Sequence, residues 1–141
     1  MICIENKAYA DIVKHFTTTL PECGGVLGAV DGKTITHFYF DTGGVCTAWS
    51  YAPDCEQINE MLVHSWAPQG VQMVGIIHSH SNAGDFPSCG DLYYCEQIMS
   101  ASNLTEFLLP IVTLSPFQIH MYVVTYSANE ILVHREEIKI I

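Results

Sequence analysis

The sequence predicts a mixed α/β fold, a sheet of about six strands flanked by about three helices. Three observations predict it. Two segments carry apolar residues at helical spacing and end at proline, and a third, Gly90 to Ala101, also reads as helix. Between them lie short runs that are apolar throughout or alternate polar with apolar, bounded by turn residues. The chain has 141 residues, 49% of them hydrophobic, enough to bury a core without disulfide staples. It shows no repeat, low-complexity tract or linker, so residues 1–141 are expected to form one domain.

The elements follow in order. Asn6 to Leu20 places Ala10, Ile12, Val13 and Phe16 at helical spacing, and Pro21 stops it. Glu22 to Val30 is a short apolar strand, followed by an Asp31-Gly32 turn. Lys33 to Phe40 alternates as a hairpin partner should. Asp41 to Pro53 is loop or weak strand. Asp54 to Trp66 sets Ile58, Met61, Leu62 and Ser65 on one helical face, ended by Pro68 and Gly70. Val71 to His78 reads as a buried central strand. Ser81 to Ser88 is loop. After the helix at Gly90, Phe107 to Leu114, Gln118 to Tyr126 and Ile131 to Ile138 are strands, the last two joined by a hairpin loop at Ser127-Ala128-Asn129.

Charge excludes some functions. Fifteen acidic residues against five basic ones give −10. Phosphate neutralisation needs lysine and arginine, so neither nucleic acid nor an anionic membrane surface is an expected partner. No apolar run reaches the roughly 18 residues of a membrane span. The N-terminal stretch carries Glu5, Lys7, Asp11 and Lys14 and lacks the pattern of a signal peptide, so a cytoplasmic location is expected. The six cysteines, at positions 3, 23, 46, 55, 89 and 95, form no Cys-x-x-Cys pair. They read as reduced thiols, several of them small core residues.

The chemistry-bearing segment is His78-Ser79-His80-Ser81-Asn82-Ala83-Gly84-Asp85-Phe86-Pro87-Ser88-Cys89-Gly90-Asp91. On a strand, residues i and i+2 share a face, so His78 and His80 point the same way, in line with Ile76 and Val74. Asp91, on the first turn of the next helix, can project its carboxylate back toward them. Two imidazoles and a carboxylate suit Zn²⁺ and leave a fourth position open, as catalytic sites do. Plainer readings stand beside this one. A histidine near a strand end can be a hydrogen-bonded structural residue. Ser88-x-x-Asp91 is equally a helix capping box, and an Asp91 bound to metal is less free to cap.

The conjunction of His-x-His, seven residues, Ser, two residues and Asp resembles the signature of the JAMM metalloprotease family, also called MPN+ or JAB. Pro21-Glu22-Cys23-Gly24-Gly25-Val26-Leu27-Gly28 is similar to the glutamate-bearing first strand of its bacterial branch. The resemblance implies an MPN-type, cytidine-deaminase-like curved sheet. It implies His78, His80 and Asp91 as ligands of one zinc ion per chain. Glu22 takes the part of general base, and Ser88 that of the hydroxyl stabilising the oxyanion. The implied activity is a peptidase or isopeptidase. The substrate would be a peptide or ubiquitin-like or sulfur-carrier protein with an extended C-terminal tail, cleaved after Gly-Gly. A non-catalytic MPN-type scaffold is the alternative. Two positions depart from the family pattern: Ser81 replaces the usual proline, leaving the loop less rigid, and Pro87 precedes Ser88 and fixes the approach to the helix. Cys89 is expected to face the helix start, and Asp85 to solubilise the loop rather than touch substrate. A nucleobase deaminase is excluded, because His-x-Glu and the second cysteine of Pro-Cys-x-x-Cys are missing. The Gly24-Gly25 pair lacks the lysine of a phosphate loop and is expected to admit a neighbouring backbone closely.

Overall fold

The computed structural model describes residues 1–18, 21–81 and 84–141. A short strand β1 (Ile2–Ile4) leads into helix α1 (Asn6–His15). The expected continuation of α1 to Leu20 is not found: Phe16 leaves helical geometry, and Thr19 and Leu20 lie outside the described residues. The β-branched threonines after Phe16 carry low helix propensity. The buried stripe is Ala8 and Ile12, continued by Phe16, whereas Ala10 and Val13 are exposed. Strands β2 (Gly24–Ala29) and β3 (His37–Phe40) form the expected hairpin. Its turn is held by Asp31 Oδ1, which accepts from the Lys33 and Thr34 amides at 2.8 and 2.7 Å.

The segment read as loop or weak strand is a small hairpin of β4 (Val45–Cys46) and β5 (Tyr51–Ala52). Helix α2 (Cys55–Met61) starts on Asp54, whose side chain accepts from Gln57 N at 3.1 Å. It continues as a π turn over Leu62–Trp66 and a 3₁₀ turn over Ala67–Gln69. The wider π turn shifts the helical phase, so Trp66 is buried and Ser65, expected on the inner face, is exposed.

Strand β6 (Gln72–Ser79) and helix α3 (Cys89–Ala101) follow. The single strand expected over 107–114 is two strands, β7 (Glu106–Leu108) and β8 (Ile111–Thr113). Pro110, which has no amide hydrogen, lies in the break. Strands β9 (Gln118–Ser127) and β10 (Glu130–Glu136) pair through a turn in which Ala128 and Asn129 both have positive φ, as a two-residue hairpin requires. The residues after Glu136 form a separate strand, β11 (Ile138–Ile140), parallel to β1. This pairing of the two chain ends was not expected from sequence.

The main sheet runs β10-β9-β7-β6-β2-β3, with β8 also between β6 and β9. It is mixed: β6 is antiparallel to β2 and parallel to β7 and β8. Alternation sorts its side chains to two faces. Leu27, Ile77, Leu108 and Val123 pack under Ala8, Ile12 and Phe16. On the other face Ile76, Phe107 and Val124 meet Cys95 and Met99 of α3, and Val26 meets Ile58 and Trp66. The alternation of β6 breaks once. Gly75 pairs with Leu27 but Met73 with Gly28, so Val74 is a bulged residue. Val74 therefore packs with the α1 cluster, not on the face that carries Ile76 and His78.

Two glycines set how closely β2 is approached. A Cβ on Gly25 would lie 2.3 Å from the Tyr39 carbonyl oxygen, and one on Gly24 would lie 2.4 Å from the Tyr51 ring. Gly25→Ala should destabilise the fold by about 1–3 kcal/mol, because the obstacle is backbone and cannot rotate away. Gly90→Ala, where the nearest neighbour is 3.7 Å away in the first turn of α3, should not. Denaturation midpoints of the two variants make the comparison; equal losses would contradict it.

Candidate metal centre

The β6–α3–β7 unit joins parallel strands through a crossover helix, so α3 begins beside the C-terminal end of β6. His78 and His80 occupy that end. Their Nε2 atoms lie 3.0 Å apart. His78 Nε2 is 3.1 Å from Asp91 Oδ1, and His80 Nε2 is 3.2 Å from Asp91 Oδ2. One donor atom from each of the three residues can be chosen so that all lie within 4.8 Å of one another. Metal–nitrogen distances of 2.0–2.1 Å give a tetrahedral shell donor–donor edges of about 3.3 Å, so the spacing of these atoms fits one small cation.

Asp91 serves two structures at once. Ser88 Oγ accepts from the Asp91 amide at 3.1 Å, and Asp91 Oδ2 accepts from the Ser88 amide at 2.8 Å, closing a capping box at the start of α3. The capping and ligating readings are thus not exclusive: the carboxylate that caps the helix also faces both imidazoles. Burial alone would raise the Asp91 pKa, but His78, His80 and the Ser88 amide hold it well below the usual carboxylate range. For His80, burial opposes the charged ring, yet Asp91 and the Gly84 carbonyl outweigh it and raise the pKa above its ordinary value.

The two rings are oriented differently. His80 Nδ1 donates to the Gly84 carbonyl at 2.9 Å, which leaves Nε2 of the neutral ring with its lone pair toward the cluster. His78 is buried and stacks on Tyr51, with ring centroids 6.3 Å apart at 24°. Tyr51 in turn donates to Asp41 Oδ2 at 2.7 Å. Asp41 is itself buried and accepts from the amides of Asp54 and Gly43. Burial, reinforced by Asp41, pushes the Tyr51 phenol pKa upward, so it stays protonated and donating.

A cleft of about 330 Å³ opens over this cluster, lined among others by Glu22, Trp49, His80, Ser88, Asp91 and Tyr94. The structure therefore brings all five candidate residues to one place. Glu22 is only 7% exposed. Its Oε1 accepts from the amide and the hydroxyl of Ser81, at 3.3 and 3.4 Å. The Ser81 hydroxyl is also within bonding distance of the Ala48 carbonyl. The position that departs from the family's proline thus contributes its amide to Glu22, and a hydroxyl whose one proton is shared between Glu22 and the Ala48 carbonyl. Cys89 is exposed at the first turn of α3 and is not one of the clustered donors. Asp85 does not merely solubilise the loop: it lies 3.5 Å from Arg135. The six cysteines are all free, and only Cys95 is fully buried, with its thiol pushed up to about 12 by that burial.

Sequence reasoning missed Asp41, Tyr51, the Ser81–Glu22 contact and the Asp85–Arg135 contact. Asp41 alone had a local signal, since Asp-Thr-Gly-Gly is a turn pattern in which aspartate caps amides. No helix among the described residues is long and apolar enough to cross a membrane.

Comparison with known proteins places this geometry. No curated protein matches the chain. Among solved structures it resembles that of protein DSY2949 from Desulfitobacterium hafniense, with a TM-score of 0.71 at 20% identity, over 99% of this chain and 92% of that one. At that identity the likeness is one of fold. The sequence profile of the prokaryotic homologs of the JAB domain matches residues 5–134, a span that holds Glu22 and the whole His-x-His to Asp91 segment. The chain belongs to the prokaryotic JAB domain family, and its mixed sheet is the MPN-type fold.

Proposed function

We propose that this chain is a zinc-dependent hydrolase of amide bonds, acting as a peptidase or isopeptidase. The observation that carries the reading is the convergence of His78, His80 and Asp91 at one wall of a cleft that Glu22 and Ser88 also line. A divalent cation held by the three donors would supply a Lewis acid for the scissile carbonyl and lower the pKa of water toward 7. Glu22 is held by the Ser81 amide and is not one of the clustered donors, so it is free to take a proton from the attacking water and pass it to the leaving amine. Ser88 Oγ accepts from the Asp91 amide, which leaves its own proton to donate to the developing oxyanion. The substrate is an extended C-terminal tail, cleaved after Gly-Gly in a ubiquitin-like or sulfur-carrier protein, and the setting is the cytoplasm. Such a tail suits a narrow cleft that can add hydrogen bonds along its backbone. A non-catalytic scaffold would need no metal donors, and the complete set argues against it.

Metal analysis after dialysis against zinc should return one ion per chain, and the protein should cleave a Gly-Gly-linked fusion. Glu22→Gln should keep the metal and lose turnover by about 10²–10⁴-fold. Full activity in that variant would remove Glu22 from the mechanism, and a chain that takes up no zinc would leave the scaffold reading.

Stability should also depend on pH in a defined direction. The raised His80 pKa stabilises the metal-free fold below its unfolded value of about 6.5, and this contribution is lost as pH rises through the folded value. The lowered Asp91 pKa acts above about 3.8 and is lost in acid. Metal-free protein should therefore melt lower at pH 8 than at pH 6. Zinc competes for the same nitrogen, so the stabilisation it adds should grow over that interval, reaching about 2.7 kcal/mol at a hundredfold excess over Kd. A zinc effect independent of pH would contradict this assignment.

A further inference from the structure

The only arginine of the chain lies close to the segment that orients His80. Arg135, on β10, donates from one terminal nitrogen to His120 Nδ1 at 2.8 Å. Because that nitrogen accepts, the neutral His120 ring carries its proton on Nε2 and donates to Thr113 Oγ1, also at 2.8 Å. Burial, with the nearby guanidinium, lowers the His120 pKa despite Asp85, so the 3.5 Å approach of Asp85 to His120 is no ion pair. The cation that Asp85 faces is Arg135, whose other terminal nitrogen is 3.5 Å from Asp85 Oδ2.

A second contact fixes the same segment. The Phe86 ring meets Tyr122 edge-on, with centroids 5.3 Å apart, and the Arg135 guanidinium lies 6.0 Å from the centre of that Tyr122 ring. Residues 85 and 86 are therefore docked on β9 and β10 by one ionic and one aromatic contact. Gly84, immediately before them, presents the carbonyl that takes the His80 Nδ1 proton. The path from Arg135 to the donor cluster is Arg135, Asp85, Gly84, His80. As a contribution to stability the ion pair is small, since both side chains are about half exposed. Its consequence is geometric: it removes freedom from a carbonyl that sets the direction of a ligand ring, and such outer partners tune metal sites strongly.

We propose that Arg135 is a positioning residue for the candidate metal centre, holding Asp85 so that the Gly84 carbonyl keeps His80 Nε2 aimed at the donor cluster. The proposal rests on the metal-binding reading above.

The test is metal affinity rather than turnover. Zinc would be titrated against a chromophoric chelator, and cobalt(II) would be followed by its visible absorption, in the full chain. Arg135→Gln and Asp85→Asn should each weaken binding about tenfold, the lower end of outer-partner effects, and alter the cobalt spectrum. The double variant should bind no more weakly than either single one, because both break the same link. Arg135→Lys keeps the charge opposite Asp85 and should stay within about twofold of wild type. Melting temperature separates this from general destabilisation: a lower midpoint with unchanged affinity and spectrum would overturn the proposal. So would additive losses in the double variant. Wild-type protein that takes up neither ion would overturn the metal reading itself, whereas wild-type binding that Arg135→Gln leaves intact would overturn the positioning role alone.

Discussion

The carboxylate of Asp91 is the constraint on which the site depends. It caps α3 through the Ser88 amide and faces both imidazoles of β6, so one charged group ties a helix start to a strand end. Burial disfavours that charge, and the surrounding donors more than offset the penalty. The helix N-terminus adds its own positive potential. A carboxylate kept anionic in a half-buried position still calls for a counter-charge between itself and the two rings. Asp91 accordingly raises the His80 pKa, and a divalent cation would meet the same need with two charges at once. The preference for positive charge at this point follows from local electrostatics.

Close packing supports it from behind. The absence of side chains on Gly24 and Gly25 lets Tyr51 and the β3 backbone lie against β2. Tyr51 then stacks on His78 while its hydroxyl is tied to buried Asp41. His78 is therefore restrained by a wall, whereas the far side of the His80 ring is held by a hydrogen bond to a loop carbonyl. The two rings differ in their surroundings, and the difference follows from their places: His78 lies within β6 in the sheet interior, and His80 follows the strand's last residue. Glu22 is fixed from a third direction, just before β2, by Ser81 of that same loop. Glu22 thus joins the residues at the end of β6 only because β2 and β6 are neighbours in the sheet.

The overall charge of −10 is consistent with this arrangement. The clustered groups in the cleft are acidic or imidazole, and the single guanidinium nearby is committed to Asp85 and His120.

The sequence by itself determined the site's membership and most of its elements. His-x-His on a strand sets a shared face by the two-residue period wherever no bulge falls between, and Ser-x-x-Asp at a helix start places a carboxylate near its N-terminus. Those are local rules, and Glu22 joined the set only through family resemblance. Where the sequence was read wrongly, the cause was long-range or a local irregularity. The bulge at Val74 and the π turn before Trp66 shift phase without any marker in composition. The pairing of β1 with β11 joins the two ends of the chain, which no window of sequence sees. The links Asp41–Tyr51–His78 and Arg135–Asp85–Gly84–His80 were decided by the tertiary structure alone. Each joins residues on elements that become adjacent only when the sheet forms, and adjacency in space leaves no period in the sequence.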